Sequence, residues 1–464
     1  MAWIGALACA LAAGANDLES QRWHNWHQWR GPSADGIAYH ANAPLKWDEN
    51  TNIQWKVEIP GSGTSTPIVW NDRLYLTTAI NTGQRPESAP GTASAAGEDG
   101  GEQQAERPSD QQPGRRGGGG GGRPGGARPD TLFQFVVLCL DRQSGKVVWQ
   151  HIATEAVPHE GHHRDHGYAS ASATTDGRSL YVSFGSRGIY CYDLDGNLRW
   201  SRELGRMRTR SSFGEGTSPV VHGDSLIVNW DHEDDSFIVC LDTATGQDKW
   251  RVDRDEATSW TTPLVIEHKG VTQVIVNGAN RTRSYDLTNG ELIWECGGQT
   301  GNPIPSLVAA NGVVYCMTGF RGFALKAISL DAKGDVTGTD QVKWERDRGT
   351  PYVPSPLLYD GLLYFTRANS GSLTCVRADT GEELYADQRL QETPNIYSSL
   401  TYAQDKVYIT GRDGTTLVLK HGPAFEVLAT NKLDEGIDAS AVFVGNQLFL
   451  RGARHLYCIA EKAQ

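Results

Sequence analysis

Short apolar runs that open on small residues or proline recur along the chain, and each is followed by a second run that alternates into the next turn. The openings read STPIV from Ser65, TSPVV from Thr217, TTPLV from Thr261 and PSPLL from Pro354. Their partners read RLYLTT, SLYVSF, SLIVNW and LLYFTR. A third and fourth run follow around a turn: VVLCLDRQSGKVVW ending at Trp149, IYCYDLDGNLRW at Trp200, IVCLDTATGQDKW at Trp250 and RSYDLTNGELIW at Trp294. Four short strands per period of about 50 residues predict propeller blades. Innermost strands are expected near Ser65, Ser170, Thr217, Thr261, Pro305, Ser355, Ser398 and Ser440, which makes eight blades.

The last unit, SAVFVG, QLFLRG and HLYCIAE, stops one strand short, while NIQWKVEI (residues 52–59) precedes the first blade without a partner. The N-terminal strand is therefore predicted to complete the C-terminal blade and remove an open edge. Gly145, Gly246 and Gly290 suit the positive φ of the turn between third and fourth strands, with Asp141, Asp242 and Asp286 bonding the turn backbone. Trp55, Trp149, Trp200, Trp250, Trp294 and Trp344 fall where an aromatic wedges between neighbouring blades, with Tyr385 in this place in blade six. Blade seven, KHGPAFEVL, has neither the glycine pattern nor the aromatic.

The composition, with 53 Gly and 14 Trp, agrees with an all-β protein. The one long apolar run, residues 1–15, ends in Ala13-Gly14-Ala15 and reads as a signal peptide, although no Lys or Arg precedes it. Cys9 sits in a poor lipobox, so export is expected and lipid anchoring stays open. Residues 16–51 form a lead-in and residues 52–464 the propeller. Residues 81–130 interrupt blade one with an acidic stretch followed by an arginine-glycine stretch; they contain almost no large apolar residue and read as a flexible insertion. A formal charge of −12 argues against a nucleic-acid partner.

The Asp-x-x-Thr/Ser-Gly-x-x-x-Trp units at Asp141–Trp149, Asp242–Trp250 and Asp286–Trp294 resemble the tryptophan-docking motif of pyrroloquinoline quinone (PQQ) repeat propellers. With QWRGPSADG (Gln28 to Gly36) ahead of the ring, the chain is similar to exported propellers of the BamB-like group. That resemblance implies an eight-bladed fold in the periplasm or cell envelope. It leaves function open, because such propellers include quinoprotein dehydrogenases and non-catalytic scaffolds.

Loops from strand four to the next strand one, and from strand two to strand three, emerge on one face. HEGHHRDHGY (His159 to Tyr168) enters blade two, RMRTRSSFGEG (Arg206 to Gly216) enters blade three, and DHEDD (Asp231 to Asp235) lies within blade three, so all three should rim one sector. His162, Asp165 and His166, with His232, offer zinc-ligand chemistry, but the Gly-flanked stretch cannot set a helical His pair and adjacent arginines repel a cation. The expectation is a loop for a polar or anionic ligand, without a metal, with Tyr168 and His166 nearest the channel. Arg187, Arg281, Arg321, Arg367, Arg412 and Arg451 recur in loops of this class and, with Arg208 and Arg210, suggest a basic rim for a carboxylated or sulfated ligand; the competing reading has each one tie its loop to a neighbouring blade or to an acidic loop such as DHEDD. Trp260 is added as a stacking residue.

Cys139, Cys191, Cys240, Cys375 and Cys458 share one register and lie too far apart for disulfides, whereas Cys296 and Cys316 are left as a pair that can bond. PQQ-dependent alcohol dehydrogenases typically carry a vicinal disulfide against the cofactor, and no adjacent Cys-Cys occurs here. The leading expectation is a monomeric scaffold that binds an envelope protein or glycan on the loop-rich face, without a catalytic residue or cofactor and without a membrane span in the mature chain. The alternative is a PQQ- and calcium-dependent dehydrogenase, for which Trp260, Arg321, Arg367 and Arg412 are the cradle residues by loop class.

Overall fold

In the computed structural model, which describes residues 18–86 and 125–461, eight small, mainly antiparallel sheets form the blades of a propeller. The expected signal peptide and most of the insertion lie outside the described residues. Among the described residues no helix is long and apolar enough to cross a membrane. Inner strands begin a few residues after the predicted openings, as in Ile68–Trp70, Val220–His222 and Leu357–Tyr359. Ring closure is as predicted: Ile53–Glu58 pairs antiparallel with His455–Ile459, with Trp55 opposite Cys458.

Blades four and seven carry a fifth strand that the four-strand pattern does not predict. Gly334–Asp335, in the long turn of blade five, pairs parallel to the outer strand of blade four. Ile37–Ala38, from the lead-in, pairs parallel to the inner strand of blade seven.

Neighbouring blades are joined by the aromatic of one against the turn of the next. A Cβ on Gly145, which sits at φ +69°, would come within 2.8 Å of the Trp55 ring, so only glycine leaves room for the indole. Gly196 with Trp149, Gly246 with Trp200, Gly290 with Trp250 and Gly381 with Trp344 repeat this packing. Each indole N–H also donates to a backbone carbonyl in the adjacent blade: Trp55 to Arg142, Trp149 to Leu194, Trp200 to Thr243, Trp250 to Leu287 and Trp344 to Ala378, at 2.8–3.2 Å. Trp294 differs because the turn of blade five is the long one; its N–H turns to Gln273 Oε1 in its own blade at 3.0 Å. The cysteine column has its reason here. Cys139, Cys191, Cys240, Cys375 and Cys458 stand directly across the sheet from Trp149, Trp200, Trp250, Tyr385 and Trp55, where a small apolar side chain leaves space for the ring. All seven described cysteines, Cys296 and Cys316 included, are buried free thiols.

Around the axis, the residues that open the inner strands are stitched by hydroxyls. The backbone N–H of Thr66 donates to Ser172 Oγ, Ser172 to Ser218 Oγ and Ser218 to Thr262 Oγ1; Ser306 donates to Ser355, Ser355 to Ser399, Ser399 to Ser440, and Ser440 back to Thr66 Oγ1, at 2.9–3.3 Å. Ser and Thr are needed here because a strand start at the axis has no sheet partner for its N–H, and a buried orphan donor is costly.

Candidate functional site

The two ends of the axial channel are built from different parts of the chain. The lower end is occupied by the lead-in. Trp26, fully buried, exchanges backbone hydrogen bonds with Val69 of blade one. Thr175 of blade two donates to His27 O, and Tyr402 of blade seven donates to Gly36 O. Arg30, 1% exposed, donates to the Pro356 carbonyl of blade six. The segment thus crosses the bottom of the ring and sets the Trp29 side chain against the axis as a floor.

At the upper end the histidine-rich loop crosses the mouth. Its backbone is held by Gly126 N–H to His162 O at 2.8 Å and His163 N–H to Phe213 O at 3.0 Å. From there Asp165 reaches across to blade seven, accepting from Arg412 at 3.2 Å and from the Tyr397 hydroxyl at 3.1 Å. The Arg412 guanidinium forks onto Asp438 at 2.7 and 3.1 Å and lies 4.0 Å from the centre of the Tyr397 ring. Burial works against the Arg412 charge, but the two carboxylates more than offset it and keep the group firmly protonated.

Between floor and strap lies a cavity of about 380 Å³. Aromatic side chains line it at several heights: Trp29, Phe213, Trp260, Phe320, Tyr352 and Tyr397. Trp260 is fixed by its indole N–H on Gly214 O at 2.7 Å, and Phe320 stacks on Tyr352 with ring centres 5.0 Å apart. The hydroxyl-bearing residues Thr66, Ser172, Ser218, Thr262, Ser399 and Ser440 form its lower wall. Of the charged groups at the rim, Asp165 and Asp438 line the cavity, while Arg412 and Arg164, their partners, stand outside the lining.

The structure brings together only some of the residues picked out from the sequence. Asp165, His166 and Trp260 meet at the cavity, and Arg412 stands behind Asp165 and Asp438, outside the lining. His166 is buried and pulled down to about 4, by burial first and then by His162, so it is neutral; its Nε2–H donates to Glu215 O at 3.0 Å and its Nδ1 accepts from Ser170 at 2.9 Å. His162 uses Nδ1 on His163 O, and His232 places its ring nitrogens against backbone atoms of its own loop and of Arg208. Tyr168 is not beside the channel: its hydroxyl donates to Glu160 O and its ring packs on Phe133 and His162, in the layer between blades one and two.

The arginines do not form a basic rim. Arg451, at the end of a second strand, is 3% exposed and donates inward to Ser65 O at 2.9 Å; burial lowers its pKa to about 9. Arg187 donates to Val157 O, Arg208 pairs with Asp234, and Arg367 lies 3.7 Å from Asp387. Arg321 rests over Phe320, outside the cavity lining. Arg210 stays half-buried near Tyr352, and its guanidinium has no hydrogen bond or ion pair among the described residues.

Glu215 was not picked out from the sequence. It is pushed up to about 7 by burial, and its two oxygens accept from the Ser186 N–H and hydroxyl, each at 2.6 Å. With His159 and Glu160 it forms a cluster whose donor atoms lie within 4.8 Å of one another. Each is already engaged: Glu160 by Thr209, and His159 Nε2 by Met207 O at 2.6 Å. The FGEG context carries no periodicity, so only the fold reveals that this carboxyl is buried.

The residues present do not fit the quinone that the repeat resemblance brings to mind. A planar tricarboxylate needs uncompensated cations, and Arg412 is neutralised by Asp165 and Asp438 while Arg321 and Arg367 stand off the lining. A calcium ion needs six or more oxygens, and the lining offers only two carboxylates, Asp165 and Asp438, each already paired with a guanidinium.

The fold and the axial site define an eight-bladed propeller of the PQQ-repeat type, closed below and open above. A family profile described as outer membrane protein assembly factor BamB matches residues 134–387, more than half of the chain. The chain belongs to this family. Among solved structures it is similar to BamB from Moraxella catarrhalis, at 14% identity and a TM-score of 0.51 over 73% of this chain and 94% of that one. It is also similar to the quinohemoprotein alcohol dehydrogenases of Comamonas testosteroni (10% identity, TM-score 0.60, 96% and 82% covered) and Pseudomonas putida HK5 (10%, 0.54, 97% and 83%). At these identities the likeness is one of fold. A search of curated proteins returned no match.

Proposed function

We propose that this protein is an exported, non-catalytic binding propeller of the cell envelope, which takes its ligand, a protein or glycan, at the strapped upper mouth. The observation that carries this reading is the rim: the two aspartates that line it, Asp165 and Asp438, are cross-linked by Arg412 from outside the lining, a device for holding a binding surface rigid rather than for receiving a trianionic cofactor. The description of the family as an assembly factor accords with a display role, and the rigid ring suits it.

Titration of the purified protein with PQQ and Ca²⁺, followed by tryptophan fluorescence and dye reduction, tests the reading against a dehydrogenase. No saturable quenching and no dye reduction are expected. Stoichiometric binding with turnover of an alcohol overturns the proposal.

A further inference from the structure

We infer that the mouth cavity binds a neutral saccharide, one or two pyranose rings deep. The inference rests on the binding-propeller reading and names the ligand class of that same site.

Size decides first. A cavity of about 380 Å³, floored by Trp29 and bridged by the Asp165–Arg412 contact, lies at the lower end of small-molecule sites and admits a sugar ring or a side chain but not a folded surface. Its chemistry is mixed in the way a sugar is mixed. A pyranose has apolar C–H faces and a polar equator. Trp260, Tyr397 and the Phe320–Tyr352 stack supply aromatic surface for the faces.

The equator finds two kinds of partner. Each hydroxyl in the axial ring accepts a backbone N–H with its oxygen, which leaves its own O–H without an obligatory acceptor; Thr66 and Ser172 are examples within the lining. Above them, Asp165 and Asp438 keep lone pairs beyond those used by Arg412 and Tyr397, and carboxylates accept from adjacent sugar hydroxyls. Because Arg412 fixes both, these acceptors are held in place before the ligand arrives, which lowers the entropy lost on binding.

Charge sets the subclass. Asp165 and Asp438 line the cavity while the guanidiniums paired with them, Arg412 and Arg164, stand outside the lining, so a ligand meets carboxylates rather than cations, which disfavours uronic acids and sulfated sugars. The arginines that would have favoured them are turned elsewhere. Arg210, near Tyr352, and Arg321, over Phe320, both lie outside the lining.

The test is calorimetric titration, with tryptophan fluorescence in parallel, using cellobiose, maltose and di-N-acetylchitobiose as neutral probes, a glucuronate-containing disaccharide as the anionic probe, and tetramethylammonium as the cationic one. At least one neutral disaccharide is expected to saturate at millimolar concentration or below, with the anionic disaccharide at least tenfold weaker. Trp260→Ala and Asp438→Asn should each raise Kd at least tenfold, and Trp260→Phe, which keeps an aromatic face, should restore most of it at an unchanged melting temperature. Preference for the glucuronate sugar or for tetramethylammonium overturns the saccharide class while the binding-propeller reading stands. So does binding of no sugar, or binding that ignores Trp260 and Asp438. Saturable PQQ binding with dye reduction overturns both.

Discussion

The two ends of the channel solve the same problem, covering the centre of a ring, with opposite chemistry. Below, the lead-in does it with buried bulk: Trp26 is fully buried, Arg30 is 1% exposed, and backbone bonds run to blades one, two and seven. Above, the cover is one loop pinned by polar contacts, Asp165 to Arg412 and His166 to Glu215 O. Hydrophobic burial scales with area, whereas a polar clasp is worth little net energy and depends on protonation; the plug adds buried titratable groups of its own, with His27 lowered to about 3 and Asp35 raised, both by burial. The lower end is therefore a structural element and the upper end an adjustable one.

The bluntest way to break the contrast is to remove residues 18–60, which takes away both the plug and the ring-closing strand. Loss of the cooperative melting transition, or association through the exposed edge of blade eight, is expected in light scattering and calorimetry. Retention of a monomer with unchanged melting would refute the assigned closure. Within the plug alone, Trp26→Ala should cost about 3–5 kcal/mol in chemical denaturation, the usual penalty for emptying a buried aromatic site.

The upper end should yield smaller and pH-linked effects. Glu215 is raised by burial from its ordinary 4.5 to about 7, so the folded state binds its proton more tightly and stability falls as pH rises through that window. Replacing it by Gln removes the slope: the stability of Glu215→Gln relative to wild type should rise between pH 5 and pH 8 by on the order of 2 kcal/mol. His166, lowered by burial to about 4, has the reverse slope, with stability lost as pH falls from about 6.5 towards 4. The smallest effect belongs to the strap. Arg412→Ala breaks a partly buried cluster and should cost about 1 kcal/mol, while proteolysis within residues 158–168 accelerates. An equal loss for Arg412→Ala and Trp26→Ala would erase the distinction between the ends.

What the sequence makes legible follows the same line. The blades, their number, the closing strand and most of the indole contacts are repeated features, and repetition amplifies a weak local signal. Trp294 departs only where the turn it should meet is replaced by a longer one. The lead-in is unique, so QRWHNWHQWRGPSADG announces aromatics without saying what they cover. The strap is harder still: Asp165 and Arg412 are brought together by closure of the whole ring, and no local pattern couples them. Arg451 shares the arginine spacing of the other loops, yet it falls at a strand end whose side chain points inward, a difference that periodicity at loop resolution does not carry.

The closing strand also imposes an order of events. Ile53–Glu58 is made long before its partner His455–Ile459, so blade eight stays incomplete until that second segment has emerged. During that interval Trp55 and the Gly145 turn it covers have only one side of their joint. Any machinery that moves the chain across a membrane from its N-terminal side would deliver the latch before the catch, and the ring would lock only once both have crossed.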